Sequence, residues 1–299
     1  MTRLRADLLL LFAAVVWGLA FVFQKTAMDV LGPCSFLAAR SVLAALVLAP
    51  LAYFEHLRAA APAKSSRPIL QGVVPAAAVA GAAFFVAGAL QQYGLKTATA
   101  TNGGFLTALY VVLTPLLAWM TQGVRPGPVL VPAVMLSAGG TWLLGGGTFA
   151  ALSDGDWLIA ACAVFWAAHM LLSERGSAFN RPVLFNCLQF AVVAVLASLG
   201  AGLTEVVSIG ALKAAAVEIL YVGLLSSALT FTLLIVALKH APASEAALIV
   251  STECLFAALA GAVLLGERLS AVAWIGAALI MAAVVLVQVG PRARKVAMA

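Results

Sequence analysis

Charge is scarce in this sequence of 299 residues: only 9% of them are charged, whereas 64% are hydrophobic. A soluble domain carries charge on about a quarter of its residues, so a water-soluble fold is excluded. The sequence also lacks HExxH, GxGD, GxSxG and Walker motifs, which argues against an intramembrane protease and a primary pump. We therefore predict no enzyme activity and no cofactor.

Cysteine is rare too, and the four cysteines lie in or beside apolar segments without the spacing of metal ligands. We interpret Cys34, Cys162, Cys187 and Cys254 as small core residues, so neither a metal site nor a disulfide is predicted. The net charge of +6 comes from basic residues scattered singly between apolar runs. Since they form no basic arm or stripe, we expect no nucleic-acid partner.

What the sequence does contain is a series of apolar runs, each close to the roughly 20 residues that a helix needs to cross a bilayer. The ten runs cover residues 7–25, 34–54, 69–92, 98–121, 128–146, 156–174, 183–203, 213–236, 243–265 and 271–289. The first run is longer than the apolar part of a signal peptide and has no cleavage site followed by a soluble domain. We therefore expect it to be retained as the first span.

The basic residues divide unequally between the two sides that ten spans define. Four fall on one side, at Lys25, Lys96, Lys213 and Arg268, and Arg40 lies within the second span. The twelve on the other side are Arg3, Arg5, Arg58, Lys64, Arg67, Arg125, Arg175, Arg181, Lys239, Arg292, Arg294 and Lys295. Because the basic side of a membrane protein faces the cytoplasm, both termini are predicted to be cytoplasmic.

Two registers relate the first half of the chain to the second. A shift of 149 positions pairs Trp17 with Trp166, Lys25 with Glu174, Pro33 with Pro182, Phe36 with Phe185 and Arg40 with Gln189. A shift of 143 positions pairs Lys96 with Lys239, Ala100 with Ala243, Gly123 with Gly266 and Arg125 with Arg268. Because five spans are an odd number, the second copy must enter the membrane from the opposite side. We predict an all-α integral membrane fold of two inverted five-helix repeats, residues 1–150 and 151–299.

Three stretches resemble the EamA-type members of the drug/metabolite transporter superfamily. They are VVWGLAFVFQK (15–25), TATATNGGFLTALYVVLTPLLA (97–118) and PASEAALIVSTECLFAALAGAVLLGERLSAVAWIGAALI (242–280). The chain departs from the family at Cys254, where a proline is usual, and at Val124, which replaces the glutamate of the GERLS pattern. The resemblance implies a ten-helix basket with a central cavity that moves small organic molecules without ATP. It is nearest to bacterial exporters of neutral and aromatic amino acids.

The candidate substrate-binding residues are Trp17, Phe21, Gln24, Trp166, His169 and Met170. Those of the first span share one helical face at spacings of i, i+4 and i+7, and those of the sixth span are their counterparts in the repeat. Two indoles, a phenylalanine and a methionine would suit an apolar or aromatic side chain. The alternative is that both tryptophans pack or face lipid, although they lie well inside their runs rather than at the membrane interface.

Three further residues are candidates for proton or charge handling. Glu253 lies near the centre of the ninth span, where a carboxylate costs about 2.5–3.5 kcal/mol and therefore avoids lipid. It either couples transport to protons or clamps helices, and His169 is either a relay or a satisfied core residue. Arg40 either neutralises a substrate carboxylate or has a structural role, snorkelling outward to bind a helix end or clamping helices, and we favour the structural role. Asn102 and Glu245 are interpreted mainly as helix-capping residues.

We predict a secondary transporter that exports neutral or aromatic amino acids by alternating access, by facilitated diffusion or by proton coupling. The alternatives are an exporter of hydrophobic cations, which needs an unpaired Glu253 or Glu174 in the cavity, and a membrane scaffold or passive channel. A channel is disfavoured because no span carries a sustained polar stripe. The expected partners are a small-molecule substrate and the lipid bilayer. We expect a monomer or weak dimer in a bacterial inner membrane.

Overall fold

The structure, a computed structural model, describes residues 1–58, 69–144, 146–147 and 152–289, and the regular elements within them are helical. Eight of these helices are long and apolar enough to cross a bilayer, and α5 and α10 are shorter apolar helices. In chain order the ten are α1 Arg3–Ala27, α2 Pro33–Arg58, α3 Ile69–Leu95, α4 Ala100–Gln122, α5 Leu130–Leu144, α6 Asp154–Ser177, α7 Pro182–Thr204, α8 Ala216–Leu238, α9 Ala243–Leu264 and α10 Ala271–Val289.

Each predicted span overlaps one of these helices, and the multi-pass membrane class is confirmed. A short helix, Ile209–Ala214, precedes α8, so the eighth helix begins slightly later than the predicted residue 213. Five of the basic residues counted for topology lie outside the described residues, namely Lys64, Arg67, Arg292, Arg294 and Lys295.

The local sequence explains where several helices begin. The side chains of Thr2, Thr99 and Ser153 each accept a hydrogen bond from the backbone N–H three residues further along, which satisfies a donor that the first turn leaves unpaired. Pro33 and Pro182 stand at the first position of α2 and α7. A proline loses no helical hydrogen bond there.

Helices α4 and α9 are both interrupted near the middle, at corresponding positions. α4 consists of Ala100–Thr107 and Tyr110–Gln122, and α9 consists of Ala243–Val250 and Glu253–Leu264. The shift of 143 positions places Thr107 and Tyr110, which flank the break in α4, on Val250 and Glu253, which flank the break in α9. The interruption therefore places Tyr110 and Glu253 at equivalent positions, each opening the second segment of its helix.

The contacts between helices follow the repeat. If α1–α5 are equated with α6–α10 in order, each of the contacts below has an equivalent contact. Helix α2 packs against α7, α4 against α9 and α5 against α10, so each of these pairs is its own counterpart. The contact of α3 with α6 matches that of α8 with α1, and α3 with α7 matches α8 with α2. The contact of α1 with α9 matches that of α6 with α4.

Helices α1 and α9 approach closely at Gly18. A Cβ atom at this position would lie 2.7 Å from the carbonyl oxygen of Glu253 and 2.9 Å from the backbone nitrogen of Ala257. Real Cβ atoms avoid such distances, because interiors are already close-packed. The glycine therefore brings the backbone of α1 against the interrupted helix that carries Glu253.

Three helices have their first turn capped by a glutamate from elsewhere in the chain. Glu55, in α2, accepts hydrogen bonds from the first-turn N–H groups of α7, and Glu205, which follows α7, does the same for α2. Glu267, which follows α9, accepts from the backbone N–H of Ala100 at 3.0 Å and of Thr101 at 3.1 Å in α4. A carboxylate is favoured there because the N-terminus of a helix carries partial positive charge.

Other helix ends are joined through basic side chains. The guanidinium of Arg3 pairs with the carboxylate of Glu245 at 2.6 Å and with that of Asp7 at 2.7 Å. Glu245 therefore joins the start of α9 to the start of α1. At the end of α1, the ammonium of Lys25 donates to the carbonyl of Leu95 at 2.8 Å, which ties α1 to α3.

Candidate functional site

A cavity lies in the middle of the bundle, between α1, α2, α3, α4, α6, α8 and α9. All the candidate residues from the sequence line it: Trp17, Phe21, Gln24, Arg40, Trp166, His169, Met170 and Glu253. Neither Asn102 nor Glu245 is among the lining residues. The structure thus brings the two predicted faces together around one space, and their role in substrate binding stays a prediction.

Aromatic rings from both halves of the chain form a cage around this cavity. The ring centroid of Phe84, in α3, lies 4.8 Å from that of Trp166 and 5.0 Å from that of Phe231, both in edge-on arrangements. The centroids of Trp17 and Phe231 are 4.6 Å apart. Such ring pairs are worth roughly 0.5–1.5 kcal/mol beyond the area that they bury, so the cage is a packed, apolar surface.

The two cage tryptophans differ in their polar atoms. Nε1 of Trp17 donates a hydrogen bond of 2.9 Å to the carbonyl oxygen of Ser226. That carbonyl lies in a nine-residue π-helical stretch of α8, Tyr221–Leu229, a widened turn that is frequent at functional sites. Nε1 of Trp166 is buried without an acceptor among the described residues, with the thiol of Cys162 beside it. Of the two indoles, only that of Trp166 has an N–H without an acceptor among the described residues.

Arg40 lies in the cavity wall rather than at a helix end, so outward snorkelling is wrong, whereas helix clamping and contact with a substrate carboxylate stay predictions. The residue is only 3% exposed, and its guanidinium carbon lies 5.7 Å from the ring centroid of Phe84. Its Nη1 donates to the amide oxygen of Gln24 at 3.4 Å. Gln24 also accepts a bond of 2.7 Å from Nε2 of Gln92, which fixes the acceptor beneath the guanidinium.

Glu253 lies in α9, which packs against α4, and the residue is 4% exposed. Its polar neighbour is Tyr110, its counterpart in the repeat, and the two side chains interact electrostatically. Both line the cavity. The interruptions of α4 and α9 therefore place an acid and a phenol at the centre of the molecule.

The two halves of the chain match the same family model separately. The model of the EamA-like transporter family matches residues 4–146 and, separately, residues 153–289. The chain belongs to the EamA-like transporter family. The two matches divide at the connection between α5 and α6, so each half of this EamA-like protein corresponds to one copy of the family unit.

Two curated relatives carry the same general description. An uncharacterized transporter of Archaeoglobus fulgidus is 29% identical over 290 residues, which cover 95% of this chain and 86% of that protein. The uncharacterized transporter YwfM of Bacillus subtilis is 26% identical over 188 residues, covering 62% of this chain and 63% of that protein. These names specify transport without naming a substrate.

The fold is shared with solved structures as well. One crystal structure of a protein aligns with a TM-score of 0.74 over 95% of this chain and 96% of its own, at 18% identity. At that identity the likeness concerns the fold alone. The resemblance to the EamA family drawn from the sequence is therefore confirmed, while export of amino acids stays a prediction.

In this EamA-like cavity, His169 belongs to a polar network of the second half. Its Nε2 lies 3.0 Å from the amide oxygen of Gln189, whose own Nε2 donates to Asn186 at 2.6 Å. Asn186 in turn donates to the carbonyl of Ala228 at 3.0 Å and to the hydroxyl of Thr232 at 2.7 Å, both in α8. The chain of bonds fixes the imidazole and connects the cavity wall to the widened turn of α8.

The sequence alone did not indicate several lining residues, namely Phe84, Phe231, Gln91, Thr107, Tyr110 and Ser226. Tyr110 had a signal, because the shift of 143 positions places it on Glu253. Phe84 and Phe231 had none, since α3 and the second part of α8 are apolar on every side. Which face of such a helix points inward depends on its neighbours.

Proposed function

We propose that this EamA-like protein is a secondary transporter that moves a small organic solute, a neutral or aromatic amino acid, through the central cavity by alternating access. The aromatic cage around the cavity is the observation that carries the proposal. The cavity is lined mainly by apolar and aromatic side chains with a few convergent polar groups, which is the composition typical of small-molecule sites. Its rings come from both halves of the chain, so relative movement of the halves opens or closes the cage.

The ten-span inverted repeat is part of the proposal. It is supported by the exchange pattern of helix contacts, by the equivalent breaks in α4 and α9 and by the two matches to the family unit. Repeats of this kind give a transporter two related conformations that expose a shared site to opposite sides. The distribution of basic residues favours cytoplasmic termini, and we propose a bacterial inner-membrane location.

Counterflow in proteoliposomes tests the substrate class. Vesicles loaded with unlabelled phenylalanine, leucine or lysine would be mixed with the same labelled amino acid, and uptake would be followed over time. We expect saturable exchange of phenylalanine and leucine, weakened at least tenfold by Trp17→Ala, because the truncation removes one wall of the cage. Trp157→Ala is the matched control, since Trp157 is 60% exposed and does not line the cavity.

The outcomes separate the alternatives. Linear, unsaturable flux would indicate a passive channel, and folded protein without flux of any solute would indicate a scaffold. Either result would overturn transport by alternating access. Saturable exchange of lysine alone would retain the transporter and reject the substrate class.

Glu253 supports a second candidate function, the export of hydrophobic cations, because a buried carboxyl lines the cavity. Uptake of tetraphenylphosphonium by the wild type, lost in Glu253→Ala, would favour this function. Uptake that is lost in Glu174→Ala instead would move the cation site to the end of α6. Absence of tetraphenylphosphonium transport by the wild type would leave amino-acid export as the proposal.

A further inference from the structure

One half of the cavity wall carries a positive charge that the other half lacks. Arg40 is buried and faces the cavity, whereas the residue 149 positions later is Gln189, a neutral amide engaged by His169 and Asn186. Among the residues that the structure describes, no carboxylate pairs with Arg40.

The guanidinium of Arg40 presents one complete edge without a partner. Its Nη1 reaches Gln24, but Nε and Nη2 are buried and have no acceptor among the described residues. The N–H groups of Nε and Nη2 lie along one edge of the planar guanidinium and point in parallel. Their separation matches that of the two oxygens of a carboxylate. The edge that lacks a partner is therefore the one suited to bidentate binding of an anion.

The cost of this arrangement argues for an anion that comes from outside the protein. A buried charge without a counter-ion is strongly unfavourable, and the phenylalanine rings beside Arg40 offset only part of that cost through cation–π contacts. The rings of Phe36 and Phe84 lie 5.9 and 5.7 Å from the guanidinium carbon. A transported solute with a carboxylate would complete the pair.

We propose that the Nε–Nη2 edge of Arg40 binds the carboxylate of the transported solute, so that the protein selects monocarboxylates with an apolar or aromatic body. The assignment rests on the proposed transport function. Gln24 positions the guanidinium, and the cage of Phe84, Trp17 and Phe231 receives the apolar part. A carboxamide or an amine of the same shape lacks the two oxygens and leaves Arg40 unpaired.

Binding to the purified full-length protein in detergent micelles tests this, with three probes that share one ring. They are 3-phenylpropionate, which has the carboxylate alone, phenylalanine, and phenylalaninamide, which lacks the carboxylate. We expect the wild type to bind both carboxylates about 10- to 100-fold more tightly than the amide, as for a lost charged hydrogen-bonded pair. Arg40→Gln, which installs the residue of the second repeat, should remove this preference and leave amide binding unchanged.

Arg40→Lys and Arg125→Gln complete the set. Lysine keeps the charge but not the two-pronged edge, so we expect a preference between those of the wild type and of Arg40→Gln. Arg125 is exposed outside the cavity, and its neutralisation should change nothing. The unfolding temperature of Arg40→Gln should equal or exceed that of the wild type, because an unpaired buried charge is removed. A lower unfolding temperature would indicate a structural role instead.

The failures of the two proposals are distinguishable. If Arg40→Gln or Arg40→Lys keeps the full wild-type preference for carboxylates, or if the wild type shows no preference, the assignment of Arg40 is overturned even where counterflow is saturable. If binding of 3-phenylpropionate depends on Arg40 but the wild type shows no counterflow, the carboxylate site stands and transport by alternating access fails.

Discussion

Glu55 and Glu205 each cap the first turn of the helix whose far end carries the other. The carboxylate of Glu205 accepts the backbone N–H groups of Cys34 and Ser35 in α2, both at 2.8 Å. That of Glu55 accepts the N–H of Leu184 in α7 at 2.8 Å. Helices α2 and α7, which pack against each other, are therefore also joined by hydrogen bonds at both ends.

Replacing Glu205 by alanine should lower the free energy of unfolding by about 1–2 kcal/mol, since a first turn loses its charged acceptor. The loss of Glu55 should have a similar effect at the other end. Thermal unfolding in detergent measures both, with Asp29→Asn as the control because Asp29 is an exposed acid near Glu205's end of the bundle. Equal unfolding temperatures for Glu205→Ala and Asp29→Asn would contradict the capping role.

Gly18→Ala should destabilise the protein by about 1–3 kcal/mol, because the added methyl group would enter the backbone of α9 and force α1 away. Gly139→Ala is its matched control. A Cβ atom at Gly139 meets nothing within 4 Å, and alanine is the better helix former, so this variant should be neutral or slightly stabilising. Urea or thermal unfolding of the two variants gives the comparison, and a neutral Gly18→Ala would refute the close contact.

The two indoles should respond differently to replacement by phenylalanine. Trp17→Phe removes a buried hydrogen bond to Ser226 and should cost about 1 kcal/mol of stability. Trp166→Phe removes an N–H that has no acceptor among the described residues, so stability should be unchanged or improved. Unfolding temperatures measure this difference, and a larger loss for Trp166→Phe would show that its N–H has an acceptor in the protein.

Glu253→Gln tests proton coupling without altering shape. If Glu253 carries the coupled proton, an imposed pH gradient should drive accumulation of labelled phenylalanine in wild-type proteoliposomes but not in those with Glu253→Gln, because an amide cannot exchange a proton. Counterflow without a gradient should persist in the variant. Glu218→Gln serves as the control, since Glu218 accepts from Thr26 outside the cavity. Accumulation by Glu253→Gln at the wild-type level would assign coupling elsewhere.

The helices and the inward faces of α1 and α6 could be predicted because the signals are local. Apolar runs set the helices, and the recurrence of a tryptophan 149 positions after Trp17 indicated which residues share a role. Arg40 shows the limit of such reasoning. An arginine two turns into a span can extend outward or inward with equal local geometry, and only the neighbouring α1 and α3 decide the direction.

Other features depend on contacts between distant segments and left no pattern in the sequence. The capping by Glu55 and Glu205 requires the ends of α2 and α7 to meet, which no local spacing indicates. The π-helical stretch of α8 likewise follows from what packs against it, since Tyr221–Leu229 has the composition of an ordinary apolar helix. Tertiary packing overrides local preference at both places.

Because position 124 is a valine, the starts of α4 and α9 are held by different chemical groups. Glu267 holds the start of α4 through backbone amides, but Val124 offers no such acceptor for α9, whose start is held by the ion pair of Arg3 and Glu245. Dissolved salt screens a solvent-accessible ion pair more readily than a carboxylate set on a helix terminus by two hydrogen bonds. Higher ionic strength should therefore loosen the start of α9 more than the start of α4.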